Sequence, residues 1–398
     1  MANGWLKQWT TNQTEPSKLS LVCAVNEILG LLLDLGGAAS TVFDVVTDPL
    51  AMLLSHSSYS VQIATAWCLR CLCYSLPIKL SGLITKVHGL LNKDLNNLNN
   101  QTLPAELPKR TLGYAYGLAA LLSVIPSRPL DVSFELSARI FSLSTQLIKT
   151  SANKDLAVAS IQIQVAWILI GSLMSLGPNF VKLHLPQLFI LWKVALPKSN
   201  SNKESVSNRT ESEWSFMFHV RECVLGAMLS FLLHNSKLVT ADVSKRLAAL
   251  LNNALTFTTL IPNSFSNNPT PNSSVASTIP QLPSSSLKFS DRQDMMKRRI
   301  FQCFVAIKPI SVYDNLTTQL LKLSVSQFAD PEKNTGSAIT AAIAAAVSGN
   351  FTSVWTTGDE YAYGVTSRLQ GMNIDIAILV DNDDEEGNRR KVGVRLVK

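Results

Sequence analysis

Apolar residues recur along this chain at spacings of three and four. Ile63, Ala66, Leu69, Cys73 and Leu76 form one such run, and Ile163, Ala166, Leu169, Leu173 and Leu176 form another. Each describes one face of a helix with 3.6 residues per turn. The runs also echo one another in their letters: "SVQIATAW" at 60–67 is answered by "SIQIQVAW" at 160–167, and "TLGYAYGLAALLSVIP" at 111–126 stands between them. Aligned on Ala66-Trp67, Ala115-Tyr116 and Ala166-Trp167, the copies are offset by 49 and 51 residues. Second amphipathic segments recur beside these runs, starting near residues 38, 78, 131 and 179. A fifth pair of segments occupies 212–235 and 240–257, with Thr240 placed to start its second helix. The recurring unit is therefore helix, short turn, helix, with a buried stripe expected along each first helix.

A two-helix period near fifty residues is a little longer than that of ordinary HEAT units. The fold class expected is all-α, an α-solenoid of stacked HEAT-like antiparallel helix pairs. Punctuation by Pro, Gly, Asn and Ser divides the chain into an N-terminal extension at 1–17, five helix pairs at 18–257, a disordered Ser/Pro/Asn-rich linker at 258–289, a continuation of the helical repeats at 290–350, and an irregular, charged tail at 351–398.

Composition leaves one rival. With 46% hydrophobic and 16% charged residues, the chain suits either a helical array or a multi-span membrane protein. The uncharged run between Asp155 and Lys182 is long enough to span a bilayer. Ser160, Gln162 and Gln164 crowd its first half, Gly177-Pro178 cut it short, and its sister segment carries Arg70 in mid-helix. Those groups are expensive in hydrocarbon and favour a core helix. The N-terminal residues lack the apolar stretch of a secretory signal, so a cytoplasmic location is expected. The N-x-[ST] tripeptides at Asn12, Asn100, Asn208, Asn272, Asn315 and Asn350 then carry no glycan.

The net charge of +7 is scattered, with short clusters at Lys297-Arg298-Arg299 and Arg389-Arg390-Lys391. No basic stripe with interleaved aromatics points to nucleic acid. Weak attraction to acidic partners or acidic lipid fits the charge better.

Candidate chemistry is sparse. Cys68, Cys71 and Cys73 form C-x-x-C-x-C, but no second cysteine pair or close histidine pair completes four ligands. The six cysteines, at 23, 68, 71, 73, 223 and 303, read as reduced thiols packed as small hydrophobes. His56, His88, His184, His219 and His234 lie far apart, and the metalloprotease, phosphate-loop, dinucleotide and serine-elbow motifs are absent. Asp359-Glu360 lie in the irregular C-terminal part. No catalytic, cofactor-binding or metal-binding residue is assigned, and no small-molecule substrate is expected. Trp67, Trp167, Trp192 and Trp214, with Phe189 and Phe218, read as packing between repeats.

One hairpin is more particular than its neighbours. "QVAWILIGSLMSLGPNFVKLHLPQLFILWK" at 164–193 combines Ala166-Trp167, the turn Leu176-Gly177-Pro178, Val181, His184-Leu185-Pro186 and Leu191-Trp192-Lys193. This pattern resembles the HEAT repeat-containing protein 5 family, which includes the large adaptor-associated protein of yeast. "FHVRECVLGAMLSFLLH" and "RTLGYAYGLAALL" resemble neighbouring repeats of that family. The resemblance runs over about residues 18 to 330 and is not seen after 351, and members are several-fold longer.

The resemblance implies a non-catalytic cytosolic scaffold. It would be recruited through protein partners to trans-Golgi, endosomal and endocytic vesicle membranes, there assisting clathrin adaptor protein complex 1 and its accessory proteins in endocytosis, endosome-to-Golgi retrieval and protein localisation. It carries no catalytic residue and no partner-binding motif onto this sequence. A karyopherin-like transport receptor is the alternative scaffold; the basic charge counts against it, since such receptors hold cargo on an acidic inner surface. The multi-span membrane protein is the alternative of a different class.

Overall fold

The computed structural model describes residues 29–30, 40–57, 59–98, 104, 106–198, 209–260, 289–308 and 310–326, and every regular element among them is helical. The expected extension at 1–17, nearly all of the linker at 258–289, the tail at 351–398, Cys23 and Asp359-Glu360 lie outside the described residues.

Eleven helices of four residues or more in α conformation are described. They are α1 (Ser40–Leu53), α2 (Tyr59–Ser75), α3 (Leu80–Asn97), α4 (Leu107–Leu122), α5 (Phe134–Ser151), α6 (Leu156–Leu173), α7 (Pro178–Ala195), α8 (Glu211–His234), α9 (Ala241–Thr258), α10 (Phe289–Ala306) and α11 (Asp314–Ser326). A short 3-10 turn stands between α2 and α3, α4 and α5, α6 and α7, α8 and α9, and α10 and α11. In the first two of these turns a proline, Pro77 or Pro126, sits at the start. Lacking an N–H, it cannot extend the helix before it. Thr240 caps α9 by accepting from the Val243 amide (3.4 Å), while Thr210 and Glu213 close a reciprocal capping box on α8.

The contacts divide the chain into two compact units, Met1–Leu176 and Gly177–Lys398. In the first unit α2 packs on α4 and α4 on α6, while α3 lies against α4 and α5 against α6. Each second helix thus packs on the first helix of the next pair rather than on the helix its own 3-10 turn joins it to, so the packed hairpins are one helix out of phase with the pairs expected from the sequence. The second unit repeats this order: α8 packs on α10, α9 against α10, and α7 against α8.

The first helices correct one expectation. Instead of a stripe, the whole circumference is buried, without a break over 61–73, 111–122 and 159–174. A helix with helical neighbours on several sides has no solvent face, so its polar side chains must find partners inside. Gln62 in α2 donates to the carbonyls of His56 (2.7 Å) and Lys109 (2.9 Å). Gln164 in α6 donates to the Tyr116 hydroxyl of α4 (3.1 Å), and Ser172 donates to the Ala119 carbonyl (2.5 Å). The bonds to Lys109, Tyr116 and Ala119 bridge 47, 48 and 53 positions, close to one sequence period. The approach is tight enough that a Cβ on Gly113 would collide with the Leu54 carbonyl oxygen.

Among the described residues two helices, Leu156–Leu176 and Ser212–His234, are long and apolar enough to cross a membrane by length and composition, and the bent pair Val61–Ser75 with Pro77–Asn97 meets the same criterion taken together. Most of the apolar window in each of the two single helices is enclosed by the rest of the protein, so the apolarity that raised the membrane alternative is used in internal packing.

Candidate interaction surface

The residue types that attract attention in the sequence fall into the core. Ala66, Ala115 and Ala166 are fully buried, and Trp67, Tyr116, Trp167, Trp192, Trp214 and Phe218 are buried beside them or in the second unit. Trp192 meets Phe231 edge-on (centroids 5.3 Å) and Phe189 likewise (5.4 Å); Trp214 and Phe218 both pack on Phe257 (5.6 and 5.2 Å).

Cys68, Cys71, Cys73, Cys223 and Cys303 are buried and form no disulfide. Burial, reinforced by Cys71, pushes the Cys68 thiol well above its ordinary value, and burial pushes Cys73 and Cys303 up to about 12. Such thiols stay protonated, whereas nucleophile or ligand chemistry needs the thiolate. Among the described residues no three His, Cys, Asp or Glu side chains converge on a point that would hold a metal ion. His88 sits beside Asn92 (3.3 Å), and His219 touches Cys223 (3.9 Å) one helical turn away.

The charged residues are not all at the surface. Asp94 of α3 is buried and accepts a bidentate pair from Arg110 of α4 (2.7 Å on both arms). Arg221 of α8 is buried over the Phe257 ring (3.7 Å) and donates to the Met217 carbonyl (3.0 Å). Burial, with the nearby Arg209 charge, brings its guanidinium down to about 10. Arg299 is buried too, so the Lys297-Arg298-Arg299 run is not a continuous surface patch.

A groove of about 440 Å³ opens between α7 and α9. Lys182, Leu185, Pro186, Phe189, Ile190 and Lys193 line it from α7, and Val243 and Arg246 from α9. The α7 residues follow the spacing of one helix face, beginning and ending on a lysine. Arg246 reaches over the Phe189 ring (5.7 Å) and pairs with Asp242 (3.0 Å). Helix α7 itself contains no Asp or Glu. Its exposed positions include Leu183 (66%), Ile190 (65%) and Val194 (69%), an apolar surface where a solvated helix would be polar.

Phe189 was expected in the core with Phe218, and here the structure differs. It is half-buried, with one edge on Trp192 and one side in the groove. The resemblance-bearing residues divide likewise. Val181, Leu191 and Trp192 are buried, while Leu185, Pro186 and Lys193 line the groove. The groove was not singled out in sequence, although "NFVKLHLPQLFILWKVAL" carries a signal: its apolar positions exceed what one face needs and it has no acidic residue.

No family model matches the chain, and no solved structure does. The chain is similar to AP-1 accessory protein LAA1 of Saccharomyces cerevisiae (strain ATCC 204508 / S288c), with 24% identity over 231 residues. The match takes in 57% of this chain and 11% of the yeast protein, so the chain spans about a ninth of that relative's length. It supports a distant relationship to that yeast protein.

Proposed function

We propose that this chain is a non-catalytic scaffold segment of the HEAT repeat-containing protein 5 type, whose helix pairs continue as an α-solenoid and hold clathrin adaptor protein complex 1 with its accessory proteins. Its place of work is the cytoplasmic face of trans-Golgi, endosomal and endocytic vesicle membranes. It joins them peripherally, through its partners, and serves endocytosis, endosome-to-Golgi retrieval and protein localisation. The observation that carries this reading is the similarity to a yeast AP-1 accessory protein over 231 residues. The packing supports it. Within each unit a second helix leans on the next first helix, so each added pair extends the core it packs on.

The test is direct binding. The purified chain, immobilised, is offered purified adaptor complex 1, with a related adaptor complex as the comparison. Retention of adaptor complex 1 in preference to the other is the expected outcome. Equal retention of both, or of neither, removes the adaptor-specific part of the proposal. Retention of nuclear transport factors in their place would move the chain to the karyopherin-like alternative.

A further inference from the structure

The groove between α7 and α9 combines three features that together describe a ligand. Its lining is apolar at Leu185, Phe189, Ile190 and Val243. Its rim is cationic, with Lys182 and Lys193 at either end of the α7 stripe and Arg246 across from them. The two lysines are eleven positions apart on the helix, a distance of roughly 16 Å along the axis. Asp242 pairs with Arg246 on their shared helix.

We propose that this groove binds a short peptide of a partner protein in which one or two large apolar side chains are flanked on both sides by Asp or Glu. The apolar side chains displace water from the apolar lining and the flanking carboxylates meet the lysines and Arg246. This is the arrangement by which charge pattern adds selectivity to an otherwise generic hydrophobic contact. A groove of about 440 Å³ holds a few side chains, which fits a motif and not a folded domain. Concavity also separates this ligand from an anionic membrane, because a bilayer offers a flat array of headgroups. Arg246 lies over the Phe189 ring, so one cation of the site borders its apolar lining. The inference rests on the reading of the chain as a protein-binding scaffold, and the two fail separately, since adaptor binding can persist on other faces when this groove is disabled.

The experiment is fluorescence anisotropy with the full chain and a labelled twelve-residue peptide carrying Leu and Phe four positions apart between two acidic triplets. A twin with lysine triplets serves as the charge control. Binding in the range of about 1 to 100 μM is expected for the acidic peptide, as for other motif-sized contacts. At least about tenfold weaker binding is expected for its twin and for Ile190→Asp and Lys193→Glu. Lys93→Glu, the same charge change on an exposed site of α3, should leave affinity within about twofold. Asp242→Asn frees Arg246 from its competitor and should tighten binding by about two- to fourfold. Thermal melts of each variant separate loss of binding from loss of fold, and Lys193, being exposed, keeps the test open where Ile190→Asp misfolds. The proposal is overturned by any of four results. These are no binding of the acidic peptide, equal binding of the lysine twin, and capture of phosphatidylserine vesicles through Lys193 with no peptide binding. The fourth is peptide binding that appears only when Asp383, Asp384, Glu385 and Glu386 are neutralised, which would assign the groove to the chain's own acidic run.

Discussion

Helices α3 and α7 hold the same position in their respective pairs, each the second helix after a 3-10 turn, yet they turn opposite surfaces to solvent. The exposed positions of α3 are Gly82, Thr85, Lys86, Gly89, Lys93 and Asn96, and its apolar residues fall at a spacing of three and four on the buried side. Those of α7 include Leu183, Ile190 and Val194 among two lysines and a proline. The difference is not one of core quality, since Leu83, Ile84, Val87 and Leu91 in α3 are matched by Val181, Leu188, Leu191 and Trp192 in α7. A helix needs one apolar face to fold into this architecture; a second apolar face adds nothing to folding and identifies a surface available to something else.

The largest expected effect tests whether the two faces of α7 are independent. Trp192 is fully buried between Phe189 and Phe231, and its indole N–H has no protein acceptor in reach. Trp192→Ala should cost about 3–5 kcal/mol in urea denaturation, whereas Trp192→Phe, which gives up no hydrogen bond, should cost about 1–2 kcal/mol. Ile190→Asp, two residues away but exposed, should change stability by no more than about 0.5 kcal/mol. Equal costs at 190 and 192 would mean that the groove face belongs to the core and would end the comparison with α3.

Next in size is the turn that starts α7. Gly177 has φ 86° and ψ −178°, a conformation nearly confined to glycine. No atom crowds the place of its missing Cβ, so the backbone angle alone makes the requirement. Gly177→Ala should destabilise by about 1–3 kcal/mol, read from the shift in urea midpoint at constant slope. An unchanged midpoint would show that the turn relaxes without loss and that the Leu176-Gly177-Pro178 pattern is not held by strain.

Much of this was legible in the letters, and what was not has a common cause. The helices follow from apolar spacing, and the Ala-aromatic pairs at 66–67, 115–116 and 166–167 follow from their repetition, because both are properties of a single helix. The full enclosure of α2, α4 and α6 depends on how many helices surround them, which one sequence window does not report. Their near-continuous apolarity was the available clue, and it was first read as a stripe. Arg221 over Phe257 and Asp94 paired with Arg110 look like surface charges in sequence; only packing from neighbouring helices takes them out of water. The groove is of the same kind. Phe189 belongs half to the core and half to the surface, with Trp192 on one side and Arg246, 57 residues later, on the other.

Glycine reverses its meaning between the two helices, which gives a smaller effect of opposite sign. Gly89 lies in the middle of α3, exposed, with nothing near the site of an added Cβ and no positive φ. Gly89→Ala should stabilise the protein by about 0.5–1 kcal/mol through lower backbone entropy in the unfolded chain. A loss of stability at this position would show that the polar face of α3 is covered, and that the contrast with α7 has been drawn on the wrong helix.

The smallest effect separates the two helices by pH. His88 on α3 and His184 on α7 both have pKa values held below the ordinary histidine value. Burial is the main cause at His88, with the Arg139 charge adding to it, while burial alone acts at His184. Each is neutral in the folded protein at pH values where the unfolded chain would already take up a proton. Their contribution is therefore complete above the unfolded pKa near 6.5 and is lost as pH falls below it toward the folded value. Both rings are partly solvated, so the loss between pH 7 and 5 should be well under 1 kcal/mol for each. His88→Gln and His184→Gln should each flatten the fall in urea midpoint over that range. Salt distinguishes them: screening relieves the repulsion between Arg139 and a protonated His88 and leaves desolvation at His184 untouched. At about 0.5 M salt the acid loss removed by His88→Gln should therefore shrink, while that removed by His184→Gln should stay the same. Identical salt responses would mean that charge does not reach the α3 histidine, and that the two helices differ only in their outward faces.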